Sequence, residues 1–149
     1  MQVSSVNNIN FGARIKGDYS KVQKTSYNAG YPLKYILKID ERLHQLFPEQ
    51  GDTLKFVDGV KEYFDGCCGT TKVKNRQLRL IRNQKEIGFE PVEMFKRPSM
   101  TYFDTIFADM RLGKKHAEKY TSELKMLEQR QYLLAYYQAA LRLAKRVNG

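Results

Sequence analysis

An α+β fold, mainly helical, is what this sequence predicts, and three observations lead there. Apolar residues recur at helical spacing from Met100 to Val147, a second helical face lies between Pro32 and Pro48, and residues 72–97 scatter on a helical wheel but alternate as strands do. The expected order is an N-terminal strand, two medium helices, a basic β-hairpin and one long C-terminal helix. At 149 residues the chain is long enough for one buried core. Residues 1–31 read as a peripheral or flexible arm and residues 32–149 as a single compact domain.

The arm is rich in Ser, Asn, Gly and Lys. Within it Ile9, Phe11, Ala13 and Ile15 alternate with Asn10, Gly12, Arg14 and Lys16, a period of two that predicts a short strand. An edge strand on the chain's own domain is favoured over a peptide added to another protein's sheet, because an apolar face normally finds its own core. Pro32 then suits a first helical turn and Pro48 a stop. Between them Leu33, Tyr35, Ile36, Ile39, Leu43, Leu46 and Phe47 share one broad face, with Lys34, Lys38, Glu41, Arg42 and Gln45 opposite. His44 lies at the border and has no second ligand at a metal-binding offset.

Residues 52–66 set two patterns against each other. Asp58-Gly59 between apolar runs is a hairpin signal. On a helical wheel, however, Phe56, Val57, Val60, Tyr63 and Phe64 gather on one side, whereas the hairpin would divide them between two faces. A helix is therefore expected, capped by Asp52 and ended by Gly66. Further on, Leu78 and Leu80 alternate with Arg79 and Ile81, and Ile87 with Phe89, so a hairpin with a bulge or edge at Pro91 is the economical assignment. Ser99 would cap the long helix. There Ile106, Gly113, Tyr120, Leu127, Leu134 and Leu141 recur every seven residues, a seam that some partner surface must cover.

The charge distribution is the functional signal. Lys and Arg number 26 against 16 Asp and Glu, a net charge of +10. Such a surplus favours polyanions: nucleic acid, an anionic membrane face or an acidic protein. The segment KVKNRQLRLIRNQK concentrates it, with Lys72, Lys74, Arg76, Arg79, Arg82 and Lys85 and no acid. Cations on phosphates would bind in a salt-dependent, sequence-tolerant way. The competing assignment pairs these side chains with Glu86, Glu90 and Glu93, and strand alternation would keep the arginines from sharing one face. Arg142, Lys145 and Arg146 close the last helix, where cations offset the helix dipole.

Tyrosine is abundant, with ten copies and no tryptophan. Tyr132, Tyr136 and Tyr137 crowd the apolar end of the last helix and suit either a core or a partner interface, including a homodimer through that helix. Catalytic patterns are weak. GCCGTTK lacks the Gly-Lys-Ser/Thr order of a phosphate loop. Cys67 or Cys68 with His44 or His116 carries no local thiol-enzyme signature. No metal or cofactor is implied. The adjacent cysteines argue against a disulfide framework, no apolar run reaches the roughly 20 residues of a membrane span, and the N-terminus lacks a secretory apolar region. A cytoplasmic, non-enzymatic protein that binds nucleic acid or a nucleic-acid-bound assembly through residues 72–85 is the expectation, with a protein-interaction module built on the long helix as the alternative.

Overall fold

The computed structural model describes residues 12–64, 66–67, 69–94 and 122–148. Strand β1 (Arg14–Gly17) leads into helix α1 (Tyr19–Asn28) and helix α2 (Leu33–Leu46). Strands β2 (Asp52–Phe64), β3 (Thr70–Arg82) and β4 (Lys85–Pro91) follow. Residues 122–130 form helix α3, and helix α4 spans Tyr132–Asn148. The four strands make one mixed sheet in the order β1-β2-β3-β4, with β1 parallel to β2 and the other pairs antiparallel. No helix among the described residues is long and apolar enough to cross a membrane.

The mainly helical architecture with a lone basic hairpin is therefore corrected to an α+β fold built on a long four-stranded sheet. The decisive segment is residues 52–64, a strand rather than the helix that the wheel pattern predicts. Its alternate residues Asp52, Leu54 and Phe56 point into the core, whereas Val60, Tyr63 and Phe64 are 59%, 52% and 79% exposed. The apolar residues that mimicked a helical stripe thus never form one buried surface. Asp58-Gly59 makes no turn either: the strand runs straight through, with Asp58 opposite Arg76 and Gly59 opposite Asn75. The tight turn comes at Asn83-Gln84, where both residues take positive φ, the conformation that matches the twist of a two-residue hairpin. Between Leu80 and Ile81 the β3–β4 register shifts, so that Ile87 is the extra residue of a bulge.

One side of the sheet carries the helices. Leu54, Phe56, Leu78 and Leu80 bury themselves against Val22 of α1, Ile36, Ile39 and Leu43 of α2, and Leu133, Tyr136, Ala140 and Leu143 of α4. Within the stretch read as an arm, α1 buries Val22 and Ser26 completely. Gly17 ends β1 at φ +83°, where an added Cβ would lie 2.1 Å from the Phe56 carbonyl oxygen; only glycine lets the chain turn off the sheet there. On α4 the buried face is Tyr132, Leu133, Ala135, Tyr136, Ala139, Ala140, Leu143 and Ala144. Of the described members of the seven-residue seam, Leu127 and Leu141 stay exposed and Leu134 packs partly buried against the core. Its members Ile106, Gly113 and Tyr120, like Ser99, lie outside the described residues.

The junction between α3 and α4 has an identifiable cause. The Ser26 hydroxyl donates to the Gln129 carbonyl at 3.3 Å and accepts from the Leu133 amide at 2.8 Å. Those two backbone groups are i and i+4, so the side chain sits inside the rung they would otherwise share. On either side, Gln131 donates to Leu127 and Ala135 to Gln131, so the helical ladder resumes. Arg130 adds a bond from Nε to the Ala29 carbonyl at 3.0 Å. A buried serine from α1 therefore bends and anchors the C-terminal helices over the sheet.

Candidate nucleic-acid interface

Strand alternation divides the basic segment between two faces. Facing the helices, Arg82 makes a two-pronged bond to buried Asp52, Nε to Oδ1 at 2.7 Å and the terminal nitrogen to Oδ2 at 2.9 Å. Arg76 donates to Asp58 at 3.1 Å and lies over the Tyr132 ring, 5.1 Å from its centroid. Lys72 approaches Glu62 at 3.7 Å. Lys74 shares this side opposite Val60, and Lys85 opposes Arg82 beside the turn. Of the six cations, only Arg79 belongs to the other face, where it meets Glu86 at 3.4 Å. The six lie close together in sequence, but the fold does not bring them onto one surface.

The helix-side network is tight. Asp58 also meets Lys21 at 3.1 Å, and its amide donates to Asp18 at 2.9 Å. Burial pushes the Asp58 carboxyl up, but Tyr132, Lys21 and Arg76 outweigh it and hold the group below its ordinary value. Arg142 and Arg146, the basic end of α4, close on Glu90 at 3.1 and 3.3 Å and on the Pro91 and Phe89 carbonyls. Tyr132 and Tyr136 are core residues. Tyr136 stacks on Phe56, with centroids 5.0 Å apart, and donates to the Val57 carbonyl at 2.7 Å. Burial raises its phenol well above the ordinary value. Tyr137 packs at the edge of the same core.

The opposite face carries a constellation that the linear sequence hides. No position of β2 or β3 that points away from the helices is buried. In the β1–β2 register Lys16 opposes Lys55, in the β2–β3 register Lys55 opposes Arg79, and in the β3–β4 register Arg79 opposes Phe89. One row across all four strands therefore reads Lys16, Lys55, Arg79, Phe89. With strands about 4.8 Å apart, the three cations lie within about 10 Å. Arg14 and Lys61 widen the basic patch, and Glu86 is the sole carboxylate among the described sheet residues of this face. Lys16 and Lys55 have no carboxylate within 4 Å among the described residues. Like charges directly opposed on a sheet are destabilising, so the row opposes the sheet's own stability.

Sequence reasoning missed Lys16 and Lys55 because each is an isolated lysine in its own segment. The available signal was their shared parity: each follows an inward apolar residue, Ile15 and Leu54, by one position. Cys67 lies exposed in the β2–β3 connection, while His44 contacts the Ala13 carbonyl at 3.0 Å and Asp40 at 3.9 Å. Cys68 and His116 lie outside the described residues. Compared with known proteins, the chain matches no family model, no curated protein and no solved structure.

Proposed function

We propose that this protein binds nucleic acid, or an assembly that already carries it, through the face of its sheet that none of the described helices covers. The observation that carries this reading is the in-register row of Lys16, Lys55 and Arg79, cations held side by side on a broad exposed surface. An anion laid across that row relieves their mutual repulsion, and a phosphate backbone supplies anions at regular intervals. The contacts are to phosphate, so they position the strand without reading its sequence. Arg76 and Arg82, committed to Asp58 and Asp52, serve the scaffold instead.

Fluorescence anisotropy with a labelled oligonucleotide across a salt series tests this. Three phosphate contacts to a single strand contribute about 2 to the slope of log affinity against log salt. The triple variant Lys16→Gln, Lys55→Gln, Arg79→Gln is expected to lose that part of the slope. Replacing Lys72 and Lys74 with Gln is expected to change it less. Wild-type affinity and slope in the triple variant would overturn the proposal.

A further inference from the structure

Phe89 occupies the end of the cationic row, and its position carries the reading further. It stands directly opposite Arg79 on the face away from the described helices and is 45% exposed. Ile87, the bulge residue beside it, is 39% exposed. A large apolar ring left in water is not by itself informative. This one sits in register with three cations, and its backbone is held from two sides. Arg146 donates to the Phe89 carbonyl at 2.6 Å, and Arg142 to the Pro91 carbonyl, two residues on, at 3.1 Å. The Val92 amide then bonds the Arg76 carbonyl at 2.9 Å, tying the end of β4 to β3. The ring is presented on a braced strand rather than on a loop.

We infer that the open face takes single-stranded nucleic acid, with an unpaired base stacked on Phe89 and the adjoining phosphates on Arg79, Lys55 and Lys16. The inference rests on the polyanion reading above. A duplex turns its base faces inward and offers nothing for the ring, so on this surface it gains phosphate contacts alone. A single strand offers both, because every base has a π-face and stacking tolerates any sequence. An acidic protein would satisfy the lysines yet leave Phe89 without a stacking partner.

The test compares three probes on the full chain: a single-stranded oligonucleotide, its duplex, and inorganic polyphosphate. The wild type is expected to bind all three and to prefer the single strand. Phe89→Ala is expected to weaken single-strand binding about tenfold, within the range for losing one stacked base. Polyphosphate binding is expected to stay unchanged, which also shows that the variant is folded. Phe89→Tyr should retain the preference, and Phe89→Leu, which keeps apolar bulk but no ring, should lose it. Equal single-strand binding by Phe89→Ala, or equal wild-type affinity for single strand and duplex, overturns the stacking inference while leaving the phosphate reading standing. Failure of the wild type to bind any of the probes overturns both.

Discussion

The two faces of one sheet treat their cations in opposite ways. On the helix side Arg76, Arg82, Arg142 and Arg146 each hold a carboxylate, and the carboxylates Asp52, Asp58 and Glu90 are themselves largely buried. On the open side Lys16, Lys55 and Arg79 oppose one another across adjacent strands, with Glu86 alone answering Arg79. The contrast follows from solvent. The helix-side carboxylates Asp52, Asp58 and Glu90 have lost most of their water and must find cations, because an isolated buried charge is costly. An exposed lysine keeps its water and can tolerate a like-charged neighbour at modest cost. The helix side is therefore where charge builds the scaffold, and the open side is where charge stays in solvent.

Substitutions on the two faces should accordingly differ in sign. The largest effect is expected from Asp58→Ala, which strands half-buried Arg76 and removes an acceptor from Lys21: a loss of about 2 kcal/mol in chemical denaturation at neutral pH. The Asp58 carboxyl is held below its ordinary value, so its contribution is fully present above the unfolded carboxylate pKa of about 3.9 and is lost as pH falls through the lower folded value. The stability gap between parent and variant should therefore narrow below about pH 4. A gap that widened on acidification would contradict the arrangement of donors around Asp58.

Next in size is Ser26→Ala, which tests the cover over the helix side. It removes the hydroxyl that joins the Gln129 carbonyl to the Leu133 amide, with an expected loss of about 1 kcal/mol. Hydrogen exchange at Leu133 should accelerate relative to the rest of α4, and binding at the open face should stay the same. Smallest and opposite in sign is Lys55→Gln. Relieving repulsion with Lys16 and Arg79 should raise stability by a few tenths of a kcal/mol. The same substitution should weaken salt-dependent oligonucleotide binding. A destabilised Lys55→Gln protein would remove the distinction between the faces.

Much of the local structure was legible in the residues. Pro32 and Pro48 bracket α2, whose Ile36, Ile39 and Leu43 are buried at helical spacing. Alternation at Leu78 and Leu80 marked β3. Helix α1 escaped because it buries only Val22 and Ser26, too little apolar surface to make a stripe. Residues 52–64 misled because Val60, Tyr63 and Phe64 imitate a core face that the fold leaves in water. The candidate site was hidden for a related reason: the run from Lys72 to Lys85 is conspicuous, yet strand parity puts only Arg79 of its six cations on the face that carries Lys16 and Lys55.

Composition and spacing determined by themselves that the chain is strongly basic, that it contains both helices and strands, and which residues carry the positive charge. Strand register alone decided which cations stand together, because Lys16, Lys55 and Arg79 meet only through hydrogen-bonded pairing between segments far apart in the chain. Helix packing decided which cations are neutralised, because it takes solvent from Asp52, Asp58 and Glu90, and a carboxylate without water requires a cation.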